Sequence, residues 1–363
     1  MRVALKNRDL WVNGLRPKTL PASIAPVLVG VVTAYRLLEA KAAAGCAVKP
    51  DELQGCTATP SPAASGAFSV SISAGMFALV SVLCVIVALF LQIAVNFAND
   101  YSDGIRGTDA GRGASEFQTA KPQRLTASGL VVPKQVLAAA GINALIACLA
   151  GLAAVALTGH WWMIILGVFC LLAGWFYTGG KHPYGYAGFG EIGVFVFFGL
   201  VAVLGTQYVL TGGINIAGVV GAVLCGLYSC AILMVNNLRD VEEDKVSGKM
   251  TLGVILGPKT ARTVLLVVYL LSVVITIVVA LTPLVHTLLS FVPSLALFMG
   301  RVSIIGMVLT VLALVLAFVI IKIAMDTVNS INAGNFVKAL PMCSMTLLLF
   351  ALIFIISELA LGM

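Results

Sequence analysis

Nine long apolar stretches dominate this 363-residue chain, and they restrict it to one kind of fold. They lie near 19–38, 68–97, 136–158, 161–178, 189–211, 213–235, 262–282, 302–324 and 342–361. A bilayer hydrocarbon core about 30 Å thick is crossed by roughly 20 apolar residues of helix. Inside lipid every backbone amide must be satisfied within the chain, so long apolar runs become helices. The expected fold class is all-α: a polytopic transmembrane bundle of nine helices, forming a single domain over 1–363. A tenth run, 284–298, is short and contains Pro293, and reads as an interfacial or re-entrant piece leading into the eighth helix. Only 10% of the residues are charged, against about 25% in a soluble domain.

The few charges orient the bundle. With residues 1–18 in the cytoplasm, the inside segments are 1–18, 98–135, 179–188, 236–262 and 322–341. They hold 18 of the 22 Lys and Arg, leaving Arg36, Lys41, Lys49 and Arg301 outside. Inside loops of membrane proteins are enriched in Lys and Arg, which predicts a cytoplasmic N-terminus and an external C-terminus in a multi-pass protein of the cell (inner) membrane. The net charge of +7 belongs to those loops, so no nucleic-acid partner is expected. No small-residue cleavage site closes a short apolar region after the basic segment 1–18, so the first run is expected to stay as a helix.

Cys84, Cys148, Cys170, Cys225, Cys230 and Cys343 fall inside apolar runs and read as packing residues. Cys46 and Cys56 share the Ala-, Pro- and Ser-rich external loop 39–66, where a disulfide between them is open. No Cys/His metal spacing occurs.

The polar residues concentrate in two inside loops, 98–135 and 236–262. The first begins Asn96-Phe-Ala-Asn99-Asp100-Tyr101-Ser-Asp103-Gly104-Ile-Arg106-Gly107-Thr-Asp109. If the helix continues to Gly104, then Asn96, Asp100 and Asp103 share one face. Gly104 and Gly107 are then expected to break it, letting Asp109 fold back. The second reads Asn236-Asn237-Leu-Arg239-Asp240-Val-Glu-Glu243-Asp244-Lys245-Val-Ser-Gly248-Lys249. Asn236, Asp240 and Asp244 again form one helical stripe. The two Asn-x-x-x-Asp sequences begin 140 residues apart, at corresponding ends of the second and sixth helices. The sixth helix stands four places after the second, an even offset, as a parallel internal duplication requires.

Clustered carboxylates at a membrane surface repel unless something neutralises them. A hard divalent ion such as Mg²⁺, shared between carboxylates and substrate phosphates, does so. Helix C-termini also favour a cation. Lys18, Arg106, Lys121, Arg124, Lys181, Arg239, Lys245 and Lys249 lie beside the acids and suit the free oxygens of a diphosphate. Between helices four and five runs Trp175-Phe-Tyr177-Thr178-Gly-Gly-Lys181-His182-Pro-Tyr184-Gly-Tyr186. It fits either a loop capping the site over an aromatic substrate or an interfacial aromatic belt. Glu191 is a further acid at the same face, and Gln92 lies one turn above Asn96.

At this point the residues resemble the UbiA superfamily of intramembrane aromatic prenyltransferases, which carry Asp-rich motifs at the cytoplasmic ends of helices two and six. Within it, the opening Trp11-x₄-Arg16-Pro17-Lys18-Thr19-Leu20-Pro21-Ala22 resembles the 1,4-dihydroxy-2-naphthoate branch of menaquinone synthesis. So do Asn99-Asp100-Tyr101-x-Asp103-Gly104, the Tyr177–Tyr186 loop, and Asn237-Leu-Arg239-Asp240 with its Gly248-Lys249-x-Thr251-Leu tail. The likeness covers residues 11–257. Position 104 is Gly where the family motif often has Asp, and the segment 110–123 before Arg124 is longer than usual.

The resemblance implies a single transmembrane prenyltransferase domain with catalytic loops 98–135 and 236–262. Asp100, Asp103, Asp109, Asp240 and Asp244 would hold Mg²⁺, the catalytic group being Asp100, Asp103, Asp240, Asp244 and Lys181. Asn96, Asn99, Arg106, Arg124, Tyr177, Tyr186, Asn236, Asn237, Arg239 and Lys18 would bind substrate. A polyprenyl diphosphate would alkylate the naphthoate, an aromatic acid, with loss of CO₂ and diphosphate, while membrane lipid surrounds the isoprenoid tail. One alternative keeps the superfamily and changes the acceptor to 4-hydroxybenzoate or a similar ring. Another is an ion-coupled transporter, but its acids would sit near the bilayer midplane, and here they cluster at helix ends.

Overall fold

Helix forms on all nine apolar runs. The computed structural model describes residues 2–46, 73–112, 123–290 and 303–362. The elements are α1 (Arg2–Leu15), α2 (Pro21–Cys46), α3 (Ala74–Arg106), α4 (Pro133–Thr158) and α5 (Met163–Phe176). They continue as α6 (Gly190–Thr211), α7 (Ile216–Arg239), α8 (Val241–Val246), α9 (Leu252–Ser290), α10 (Ile304–Asn332) and α11 (Phe336–Leu361). Eight of these are long and apolar enough to cross a membrane. Helix α5 has 14 residues, which at 1.5 Å each is about 21 Å, short of the hydrocarbon core. Among the described residues there are no strands, only one isolated bridge between Ala187 and Met250.

Start signals are legible at several termini. The side chains of Ser73, Asn215, Ser303 and Asn335 accept the backbone N–H three residues on, as N-caps do. Helix α6 carries a π-helical stretch, Phe195–Val201, where it packs on α7.

The main core lies between α2, α6, α7, α9, α10 and α11, around the fully buried Tyr228, Tyr269, Phe350 and Phe354. Both tyrosine hydroxyls are satisfied across helices, by Thr276 and Thr346 at 2.8 Å each. A second cluster joins α3 and α4 to α1 through Leu10, Ile93, Phe97, Leu125 and Val136.

Four expectations change. Residues 1–18, counted only as a basic cytoplasmic segment outside the apolar runs, hold a helix: α1 packs on the end of α3, with Leu10 buried and Trp11 edge-on to Phe97 at 5.7 Å. Helix α2 runs on to Cys46, so the loop expected at 39–66 starts later, and the Cys46–Cys56 pairing lies outside the described residues. Residues 284–290 continue α9 rather than forming a separate interfacial piece, and 291–298 lie outside the described residues. The loop expected from 98 is helical to Arg106, and most of 236–262 is helix in α7, α8 and α9.

Candidate active site

The site is built on the last turns of α3. The helix continues through Gly104 to Arg106 and stops at Gly107, whose φ of +79° is readily reached only by glycine. Gly104 is therefore no breaker. It is a close-packing position, where an added Cβ would sit 2.4 Å from the Thr126 side chain. The expected stripe forms, and Asn96, Asn99, Asp100 and Asp103 are all buried.

Each stripe residue has a defined partner. Asn96 accepts from Gln92 and donates to the Leu15 carbonyl at the end of α1, both at 2.9 Å. Asn99 accepts from the Thr178 hydroxyl at 2.8 Å. The Asp100 carboxylate accepts the backbone N–H groups of Leu125 and Thr126 at 3.1 and 2.9 Å. Asp103 accepts from the Tyr186 hydroxyl at 2.7 Å. As expected, Asp109 folds back: its N–H reaches the Asp103 carbonyl, and its carboxylate pairs with Arg124 at 3.5 Å.

The second cluster is held differently. Helix α7 ends at Arg239, and Asp240 makes a slight hinge into α8. The N–H of Asp240 still reaches the Asn236 carbonyl, and that of Asp244 the Asp240 carbonyl, so the stripe survives the hinge. Arg239 grips Asp240 with two nitrogens at 2.9 and 2.8 Å, the fork geometry that suits guanidinium to carboxylate. Lys249 stands 3.7 Å from Asp244. Asn237, beside the stripe, donates to Glu191 on α6 at 2.9 Å.

The aromatic loop joins the two clusters. The Tyr186 hydroxyl bonds Asp103 and Thr108, its ring carries Arg106 on one contact and Lys249 on another, each 5.3 Å from the centroid, and its carbonyl accepts the Met250 N–H at 3.0 Å. Arg106 also donates to the Gly180 carbonyl. Tyr177 packs edge-on to Tyr184 at 5.4 Å. Burial pushes the Tyr184 phenol up to about 12. Burial, then the charge of Asp103, raises Tyr186 as well, so it stays a donor at neutral pH. Arg106, Lys181, His182 and Tyr186 line an open cavity of about 280 Å³.

Lys18 and Lys181 are exposed and Asn236 is half-buried, so these three stand at the edge of the arrangement. Lys121 lies outside the described residues. Two residues with no role assigned from sequence emerge. Arg16 is the one described non-glycine residue with positive φ, at +52°, and its buried Nε has no hydrogen-bond partner. Glu191 has one buried, unpartnered carboxylate oxygen. Proline biases the residue before it to extended backbone with negative φ, so the Arg16-Pro17 dipeptide gave no signal of the left-handed conformation.

Among the described residues no three His, Cys, Asp or Glu side chains converge to hold an ion. The arrangement suits shared rather than protein-only coordination: hard carboxylates on two helix ends, each with cations near them.

A polytopic helical membrane protein with a charge-dense site at one end of its bundle is the class these features define. The chain belongs to the UbiA prenyltransferase family, whose model matches residues 60–319. Over 271 residues it is 40% identical to a 1,4-dihydroxy-2-naphthoate octaprenyltransferase of Mycobacterium leprae, covering 74% of this chain and 76% of that protein. Over 266 residues it is 42% identical to the Mycobacterium tuberculosis protein of the same name, with 72% and 74% covered. The Escherichia coli protein of that name is 33% identical over 263 residues, 71% and 72% of the two chains.

Proposed function

We propose that this protein transfers a polyprenyl group from polyprenyl diphosphate to 1,4-dihydroxy-2-naphthoate, releasing diphosphate and CO₂ and yielding demethylmenaquinol, the reduced form of demethylmenaquinone. The observation that carries the reading is the tie made by Tyr186. One side chain binds Asp103 of the first cluster and underlies Lys249, the partner of Asp244 in the second. Acids and cations from two distant motifs therefore face one space, as a metal–diphosphate group requires. The name of the relatives, 1,4-dihydroxy-2-naphthoate octaprenyltransferase, supports the acceptor and the transfer of a polyprenyl group.

The cofactor is taken to be Mg²⁺. An ion of this kind uses one or two carboxylates and completes its shell with substrate phosphates and water, which fits acids spread over two helix ends. Asp100, Asp103 and Asp109 from one side and Asp240 and Asp244 from the other would hold it. When bound, it supplies Lewis-acid stabilisation of the departing diphosphate. The chain's own part is positional. Arg124, Arg239 and Lys249, released in part from their carboxylates, and Arg106 beside them cover diphosphate oxygens. Lys18 and Lys181 approach from the rim. The Tyr177–Tyr186 loop closes over the acceptor and keeps water from an electrophilic allylic carbon. The site faces the cytoplasm of the inner membrane in this reading. In a background with the native cysteines replaced, Lys181→Cys should then react with a membrane-impermeant maleimide in inverted vesicles but not in right-side-out ones.

The deciding assay incubates purified protein with Mg²⁺, a polyprenyl diphosphate and either 1,4-dihydroxy-2-naphthoate or 4-hydroxybenzoate, with products identified by mass. Prenylated naphthoquinol from the first and nothing from the second is expected. Turnover of 4-hydroxybenzoate alone would move the acceptor within the family, and no prenylation of either would reject the reading.

A further inference from the structure

Alkylating a hydroxylated ring requires a base. As the ring carbon bonds to the allylic carbon, a ring hydroxyl becomes a carbonyl and its proton must leave. A cation or several N–H donors beside a carboxylate lower its affinity for that proton. Most acids of this site are engaged in that way. Asp100 takes two backbone N–H groups, Asp109 pairs with Arg124, Asp240 is gripped by Arg239, and Asp244 stands beside Lys249. Asp103 accepts from the Tyr186 phenol.

Glu191 is the exception. It sits in the first turn of α6 with its Oε1 held by the neutral Asn237 amide at 2.9 Å, and its Oε2 is buried with no partner. No cation of the described residues forms an ion pair with it. The Tyr177 hydroxyl lies against Gly190, the residue before Glu191, where an added Cβ would meet it at 3.4 Å. The Cys230 thiol on α7 donates to the Glu191 carbonyl at 3.2 Å, and the Tyr184 ring abuts Gly193 one half-turn on. Among the described residues these titratable groups stand about it. Tyr184 remains protonated across an ordinary assay range.

We propose that Glu191 is the catalytic base, its free Oε2 taking the proton from a ring hydroxyl of the aromatic acceptor bound beside Tyr177. The assignment rests on the prenyl-transfer reading above. In the step, the ring π electrons form the new C–C bond while the allylic C–O bond breaks and its pair leaves with diphosphate. The hydroxyl O–H pair becomes the C=O π bond, and the proton forms the neutral acid of Glu191. Asn237 fixes the carboxylate through the other oxygen, so the free oxygen keeps one orientation. A purely structural role at the start of α6 is the competing explanation, since an acid in a first helical turn is favourable in itself.

The test compares wild type, Glu191→Gln and Glu191→Asp in detergent or nanodiscs, with melting temperature as a fold control. The glutamine keeps an oxygen for Asn237 and cannot take a proton. At pH 7, Glu191→Gln should lose about 100-fold or more in kcat, with the KM for prenyl diphosphate changed little. Its rate should then climb about tenfold per pH unit as the acceptor hydroxyl ionises unaided, while the wild-type rate stays level. Glu191→Asp should recover part of kcat at neutral pH. Wild-type-like turnover by Glu191→Gln overturns the assignment and leaves the prenyl-transfer reading intact. So does a loss that high pH does not rescue in a folded variant. A wild-type protein that prenylates no phenolic acid rejects both.

Discussion

The two Asn/Asp clusters are alike in sequence, yet the fold uses their charge in different ways. In the first, the two carboxylates on α3 serve the protein's own neutral donors, two backbone amides for Asp100 and a phenol for Asp103, and only Asp109, beyond the helix end, meets a cation, Arg124. In the second, at the α7–α8 hinge, they are matched by full cations, Arg239 and Lys249. A carboxylate that ends a loop's hydrogen bonds cannot move without unmaking the loop. One that faces a guanidinium can trade that partner for a metal, handing the cation to a diphosphate. The first cluster thus combines architecture with chemistry, and the second is closer to chemistry alone.

The largest effect should come from breaking that contrast directly. Asp240→Ala is expected to abolish turnover and leave the melting temperature near wild type. Asp100→Ala should abolish turnover too, but it also bares two backbone amides, at about 1–3 kcal/mol for each buried donor left unmet. Activity assays paired with thermal unfolding in detergent separate the two. Equal melting temperatures would refute the architectural role of Asp100, and near-normal activity in both variants would refute the metal role.

A strained residue gives the next largest effect. An L-residue in the left-handed region costs about 1–2 kcal/mol, and Arg16 bears that cost while holding a buried Nε with no partner. Strain of this kind persists where surroundings over-determine it, often at functional sites. Arg16→Gly should therefore leave the melting temperature unchanged or raise it. It should raise the KM of an anionic substrate about 10- to 100-fold, the value of one charge-assisted bond of about 1.5–3 kcal/mol. A falling melting temperature with unchanged KM would make Arg16 a structural corner and nothing more.

The contrast between the clusters also marks what a linear sequence could disclose. Apolar runs located the helices because lipid allows the backbone few other states. The i, i+4, i+7 spacing put Asn96, Asp100 and Asp103 on one face because helical geometry is local. The partners of those residues were not legible, since Leu125, Thr126 and Tyr186 come from loops 25 to 83 residues away and are joined only by packing. Gly104 looked like a helix stop because its reason to be glycine, the Thr126 side chain, is equally remote. Helix α1 was missed because its segment is rich in charge and holds no long apolar run. It is anchored by Leu10, Trp11 and the Asn96 bond to Leu15.

The smallest expected effect tests the joint between the clusters. Tyr186→Phe removes the hydroxyl that bonds Asp103 and Thr108 and keeps the ring under Arg106 and Lys249. Burial of the ring is unchanged, so the melting temperature should move by little. Asp103 would lose a donor worth about 1.5 kcal/mol, and the first cluster would no longer be registered against the second. A fall of about tenfold in kcat/KM for the prenyl diphosphate is expected. If the second cluster carries most of the chemistry, that loss should stay well below the loss in Asp240→Ala. A Tyr186→Phe defect as deep as that of Asp240→Ala would instead mean that Asp103 and its tyrosine form the reactive half of the site, and the division of labour between the clusters would have to be reversed.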